Sequence, residues 1–122
     1  KNTSEDLDWT DKKSRSTLEK NDPSSRPAIA EHVDHMDQYD TVFVGFPIWW
    51  YEAPRIIHTF LEEYDFTCKT IVPFATSGGS GMGKTSEILQ KVCPAANVLA
   101  GRKMNASVSE AQVKKWMEEM GL

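Results

Sequence analysis

Three adjacent aromatic residues are the chain's most chemically suggestive feature. Trp49, Trp50 and Tyr51 lie in Pro47-Ile-Trp-Trp-Tyr-Glu-Ala-Pro54, directly after an apolar run. Exposed together in a loop, they form an apolar patch that is unfavourable unless something covers it. A flat tricyclic ligand would cover it, because Trp and Tyr faces stack on planar π systems. Folding back into the core, or meeting a partner chain, would serve equally well. A second segment, Thr76-Ser-Gly-Gly-Ser-Gly-Met-Gly83, carries four glycines in six residues. Glycine lets backbone approach a ligand closely and present N–H groups to it. A plain turn at a strand-to-helix junction would have the same composition.

The second segment also contains a competing motif. Gly78-Gly-Ser-Gly-Met-Gly-Lys-Thr85 matches the phosphate-loop pattern G-x-x-x-x-G-K-[ST], between an expected strand and an expected helix. A nucleotide hydrolase also needs an acidic group at a later strand end to help hold magnesium. The following strand, Asn97 to Gly101, offers none, and Asp40 precedes its own strand. A P-loop nucleotide binder is therefore the remote alternative.

Other polar groups carry weaker signals. His32 and His35 stand three apart near Asp34 and Asp37, which reads as a solvated face, so no metal site is expected. His58 is expected on the outer face of its helix. Glu52 borders the aromatic loop and could tune a bound redox group. Arg15 and Arg26 could cover a ligand or pair with acids. Cys68 and Cys93 read as small packing residues.

The elements that must position these loops follow from hydrophobic periodicity. Residues 1–27 are polar and irregular and are expected to form an extended arm. Pro27 can open a short helix whose apolar face is Ile29, Val33 and Met36. Thr41 to Phe46 is apolar on both faces, the pattern of a buried parallel strand. Pro54 sits near the start of an amphipathic helix with Ala53, Ile56, Ile57, Phe60, Leu61 and Tyr64 on one stripe. Thr70 to Thr76 reads as a second strand, although Pro73 is awkward in a central one. A helix bearing Ile88, Leu89, Val92 and Cys93 follows, then a weak strand, Asn97 to Gly101. Ser109 caps a last helix with Val113, Trp116, Met117 and Met120 on one face. Alternating strands and helices imply an α/β parallel sheet, which binds ligands beyond the carboxyl ends of its strands.

Composition narrows the classes further. The 122 residues suit one domain, with 39% hydrophobic and 26% charged residues. A net charge of −4 argues against a nucleic-acid partner. No apolar run approaches the roughly 18 residues that span a membrane. Two cysteines without a CxxC spacing suggest a reducing, cytoplasmic compartment.

Tyr39-Asp-Thr-Val-Phe-Val-Gly-Phe-Pro-Ile-Trp-Trp-Tyr51, Pro54 and Pro73-Phe-Ala-Thr-Ser-Gly-Gly-Ser-Gly81 together resemble a bacterial flavodoxin-like family. Asp6-Leu-Asp-Trp9, Asp11, Ser14-Arg15 and Arg26-Pro27 resemble it too. The resemblance implies a three-layer α/β/α fold and an FMN cofactor. It places Pro47, Ile48, Trp49, Trp50 and Tyr51 at one face of the flavin ring. Thr76, Ser77, Gly78, Gly79, Ser80 and Gly81 fall along its edge, offering backbone N–H groups. It further implies electron transfer, or flavin-dependent oxidoreductase activity, towards a redox partner protein or a small acceptor. Nothing in the sequence matches the family's first strand, phosphate loop, first helix and second strand. Residues 28–122 therefore read as a partial flavodoxin-like domain supplying strands three to five. Three expectations follow. FMN binding should be weak, because the phosphate lacks its anchor. Strand 41–46 should become an open edge through which the chain forms a homo-oligomer, with a cofactor-free oligomer as the alternative function. Trp116 and Met120 should be poorly covered. The family's usual glycine in the first flavin loop is also absent, which argues against a peptide flip beside the ring.

Overall fold

The computed structural model describes residues 2–77, 79, 81–105 and 107–121. Its regular elements are α1 (Arg15–Asn21), β1 (Thr41–Pro47), α2 (Arg55–Glu63), β2 (Thr70–Thr76), α3 (Thr85–Val92), β3 (Asn97–Val98), β4 (Arg102–Lys103) and α4 (Glu110–Glu119). The fold is the expected α/β one, a parallel open sheet flanked by helices.

β2 is the central strand. It pairs with β1 in parallel from Thr41–Thr70 to Pro47–Thr76. Its other side pairs with β3 and β4, so the expected strand 97–101 is broken in two. Pro73 explains the break. The carbonyls of Lys69, Ile71 and Ala75 accept from Asn97 (2.8 Å), Leu99 (2.9 Å) and Met104 (2.7 Å), so the odd-numbered residues of β2 face this neighbour. Pro73 is odd-numbered and has no N–H to give. The register shifts at the same point: Ile71 pairs with Val98, 27 residues on, whereas Phe74 pairs with Arg102, 28 residues on. The extra residue is a bulge. Gly101 makes it possible, since a Cβ there would lie 2.5 Å from the Pro73 carbonyl oxygen.

The sheet's two faces are covered unequally. Val44, Phe46, Ile71 and Ala75 form a core with Leu61 of α2 and Leu89 of α3. On the opposite face Phe43 meets Trp116 of α4 edge-on, with ring centroids 6.3 Å apart. β1 is thus not buried on both faces as its apolar run predicted, because Phe43 is 40% exposed. Trp116, by contrast, is buried, so the expectation that it would be poorly covered is corrected for that residue. Phe43 supplies its cover. β1 pairs only with β2 among the described residues, and its other side is an open edge.

The N-terminal third departs most from expectation. The helix predicted from Pro27 does not form; a single 3-10 turn, Met36–Gln38, takes its place. Tertiary contacts win over the weak periodicity, since a short helix has a costly nucleus. The Val33 N–H bonds the Tyr64 hydroxyl at 2.8 Å, Arg26 grips Glu62 through two bonds of 2.9 and 3.0 Å, and His35 adopts a left-handed φ of 58°. Within residues 1–27, where no helix was predicted, Ser14 caps α1 by accepting from the Thr17 N–H. Polar turns order the rest: Asp8 accepts from Thr10, and the Ser16 N–H folds back to the Asp6 carbonyl at 2.9 Å. Cys68 is exposed at a φ of 63°, not a packing residue, whereas Cys93 is buried.

Replacing Gly101 by alanine drives a methyl into the Pro73 carbonyl. The Gly101→Ala variant is expected to lose about 1–3 kcal/mol of stability in urea unfolding.

Candidate functional site

Two buried groups join the arm and the glycine segment to the aromatic loop. The first is Arg55, only 7% exposed at the start of α2. Its guanidinium donates to the carbonyls of Glu19 (3.3 Å) and Lys20 (2.7 Å), satisfying the open C-terminal end of α1. The same group lies 3.7 Å from Glu52 at the end of the aromatic loop. The second is Thr85, 1% exposed, whose hydroxyl lies within hydrogen-bond distance of the carbonyls of Met82 and, at 3.3 Å, of Tyr51. Gly83, at a φ of 55°, fits beneath Tyr51; a Cβ would come within 3.4 Å of the Tyr51 carbonyl oxygen.

The aromatic loop is a tight reversal. The Trp49 and Glu52 backbones exchange hydrogen bonds of 2.9 and 3.0 Å. The two residues between them, Trp50 and Tyr51, have φ of 46° and 66°. Positive φ at both central positions is the pattern of a type I′ turn, which Asn and Gly normally occupy. Bulky aromatics held there cost about 1–3 kcal/mol each, strain that concentrates at functional sites. The turn projects its rings outward: Tyr51 is 65% exposed, while Trp49 and Trp50 are half-buried.

A cavity of about 600 Å³ lies against this turn. Ile48, Trp49, Trp50 and Tyr51 line it, as does Gly79 of the glycine segment. The arm contributes Leu7, Trp9 and Ser16. Its volume is within the ordinary range for small-molecule sites. A neighbouring pocket of about 290 Å³ is lined by Pro47, Ile48, Trp49, Thr76 and Ser77, with Met104 and Asn105. The predicted residues thus divide between two adjoining spaces, bridged by Ile48 and Trp49. Gly81 lines neither, and Gly78 and Ser80 lie outside the described residues. The Gly79 N–H, expected to face a ligand, donates to the Ser77 hydroxyl at 3.2 Å.

Sequence reasoning did not assign Leu7, Trp9 and Ser16 to the site. Their signal was a large aromatic in a polar arm, within the Asp6-Leu-Asp-Trp9 stretch. Arg15 and Arg26 are settled as acid partners, of Glu19 at 2.9 Å and Glu62 at 2.9 Å. Glu52 is balanced by Arg55. Among the described residues no cluster of His, Cys, Asp and Glu could hold a metal, and His32 pairs with Glu63 at 2.9 Å. The phosphate-loop alternative gains no support from Thr85. Its hydroxyl, which would have to reach magnesium, is buried against two backbone carbonyls.

His58 corrects a further expectation. It is buried, not on an outer face, and its Nε2 has no hydrogen-bond partner. Burial pushes its pKa below the usual value of 6.5; the Arg55 and Arg26 cations push the same way, against Glu62 and Glu52. The fold therefore holds the imidazole neutral, and its stabilising contribution is complete above the unfolded-state pKa. That contribution is lost as the pH falls below 6.5 towards the lowered folded value.

The flavodoxin family matches residues 1–120. A candidate flavoprotein from Bacteroides eggerthii DSM 20697 is 46% identical, with a TM-score of 0.92 over 99% of this chain and 76% of its own. One from Bacteroides uniformis ATCC 8492 is 47% identical, with a TM-score of 0.88 over 95% of this chain and 74% of its own. A flavoprotein from Lactobacillus acidophilus NCFM, solved in complex with FMN, is 22% identical, with a TM-score of 0.50 over 70% of this chain and 54% of its own. A search of curated proteins finds no match.

Thermal unfolding between about pH 7 and pH 5 tests the state of His58. The midpoint should fall with pH in the parent protein and fall distinctly less in His58→Leu, which has no buried imidazole to charge.

Proposed function

The chain belongs to the flavodoxin family, and from that premise we propose that it holds the ring of FMN in the cavity between its arm and its aromatic turn. The observation carrying this reading is the pair Trp50 and Tyr51, held at positive φ against a cavity large enough for a ligand. The two Bacteroides relatives are candidate flavoproteins and the Lactobacillus neighbour was solved with FMN; the proposal extends that ligand to this chain.

The residues fit the ring better than they fit the phosphate. Trp9, Trp49, Trp50 and Tyr51 give stacking faces, each aromatic pair contributing about 0.5–1.5 kcal/mol beyond area burial. No Lys, Arg or His lines the cavity among the described residues, so a phosphate gains no charge-assisted bond there. Binding by this chain is therefore expected to rest on the ring and to be weak. When bound, the flavin supplies the redox chemistry, for electron transfer to a partner protein or reduction of a small acceptor. The protein's own groups orient the ring and exclude water from one face. Glu52 adds little net charge beside it, because Arg55 balances the carboxylate at 3.7 Å.

The open edge of β1 favours a second reading, a cofactor-free assembly. Thr41, Phe43 and Gly45 direct their backbone groups away from β2, and Phe43 is exposed beside them. Such an edge is a template for pairing with another copy of the chain.

Visible absorption of the purified chain, recorded with light scattering before and after adding FMN, tests both readings. Retained bands near ~450 nm, shifted by stacking and lost in Trp50→Ala, are the expected result. A colourless oligomer that never takes up FMN would overturn the flavin reading in favour of the second.

A further inference from the structure

The bulge at Gly101 does more than accommodate Pro73. In an unbroken register Arg102 would stand beside Ala75, on the face that forms the core with Leu61 and Leu89. The extra residue moves it beside Phe74 instead. A shift of one residue turns a strand side chain to the opposite face of its sheet. Arg102 therefore faces α4, where its guanidinium comes to 4.0 Å from Glu119. Both partners are about half exposed, so this pair holds the cation weakly. Lys103, next along the strand, makes no ion pair among the described residues. The connection from β4 to α4 is itself tied down. The Met104 N–H bonds the Ala75 carbonyl at 2.7 Å, and the Val108 N–H bonds the Asn105 carbonyl at 3.0 Å.

A pocket of about 310 Å³ lies in this connection. Arg102 and Lys103 line it, together with Asn105, Ser107 and Gln112. The Gln112 side-chain oxygen already accepts from the Ser109 N–H at 2.9 Å, so its amide NH2 is what it offers a ligand. Among the described residues no carboxylate lines the pocket, although the chain has 18 acidic residues against 14 basic ones. Two cations beside amide and hydroxyl donors are the groups that bind a carboxylate or a phosphate. The pocket also adjoins the ring site. Met104 and Asn105 line both it and the 290 Å³ space beside Trp49, and Trp49 in turn lines the aromatic cavity. The carboxyl edge of the sheet thus runs from an aromatic end at the arm to a cationic end at α4.

Resting on the ring-site reading above, we propose that the pocket between β4 and α4 binds the carboxylate or phosphate group of a small organic acceptor, so that the chain selects anionic acceptors. Arg102 and Lys103 set the charge preference. Asn105, Ser107 and Gln112 donate to the oxygens that the cations leave open. The body of the acceptor then lies along Met104 and Asn105, pointing towards the ring.

Backbone amide shifts of the full chain, followed at constant ionic strength during addition of inorganic phosphate, 4-nitrobenzoate or uncharged nitrobenzene, test the proposal. The variants are Arg102→Gln, Lys103→Gln and the double variant. Both side chains are exposed, so the variants should keep the parent's circular dichroism. Phosphate should move the signals of residues 102–105 and 107–112 in a saturable way, and the double variant should bind it more than about 10-fold more weakly. 4-Nitrobenzoate should move the same signals and bind at least about fivefold tighter than nitrobenzene, a preference that the double variant should lose. Phosphate shifts that never saturate, or parent-like binding by the double variant, would overturn the anion pocket. Fluorescence titrations with riboflavin and FMN separate this inference from the ring site. Both flavins should bind the double variant as they bind the parent. A double variant that loses affinity for FMN but not for riboflavin would show that the pocket holds the flavin's own phosphate, and would overturn the acceptor assignment. A parent that binds phosphate but neither flavin would overturn the ring site, and the acceptor role with it, while the anion pocket stands.

Discussion

Arg55 reaches two segments at once from the first turn of α2. Its guanidinium donates to the last carbonyls of α1 and stands beside Glu52, which closes the aromatic turn. A buried cation is costly unless it is paired and hydrogen-bonded, and here two backbone carbonyls accept from it while the Glu52 carboxylate stands 3.7 Å away as its counter-charge. The arrangement fixes the arm relative to the turn, and the cavity exists only because those two pieces stand next to each other. Without this contact α1 would be a seven-residue helix with open carbonyls, too short to persist alone. Arg26 with Glu62, and Tyr64 with the Val33 N–H, extend the attachment along the same helix.

The turn itself depends on a support from below. Trp50 and Tyr51 occupy a conformation that bulky residues rarely adopt, and the surrounding structure must hold them in it. Reciprocal bonds between Trp49 and Glu52 close the turn, the Thr85 hydroxyl meets the Tyr51 carbonyl, and Gly83 gives the carbonyl room. The residues that look like a phosphate loop are therefore put to a different use. Gly83 and Thr85 carry the aromatic turn on the N-terminal end of α3. The sheet places both loops at its carboxyl edge, and the Pro73 break in the third strand is the local accommodation that this central strand requires.

Much of this was legible in the sequence where hydrophobic periodicity was strong. A first strand at 41–46, which the structure extends by Pro47, the strand 70–76, and the helices after Pro54 and Ser109 follow from residue pattern. What escaped depended on contacts distant in sequence. His58 reads as a surface residue on a helical wheel, yet the fold buries it. The segment after Pro27 has helical spacing at Ile29, Val33 and Met36, but its Val33 N–H is claimed by the Tyr64 hydroxyl and its His32 by Glu63. Trp9 has no partner that local sequence could reveal; only the fold brings it to the cavity. The broken third strand was foreshadowed by Pro73, whose missing N–H falls on the side facing it.

The four tryptophans allow the central claim to be tested in one measurement, since Trp9, Trp49 and Trp50 line the cavity while Trp116 is buried on the other face of the sheet. The indole N–H signals in a two-dimensional ¹H–¹⁵N NMR spectrum, recorded as FMN is added, report on each separately. The account predicts that the signals of Trp9, Trp49 and Trp50 move in a saturable way while that of Trp116 stays in place. Movement of Trp116 with the other three unchanged would place the ligand on the open β1 face and contradict it.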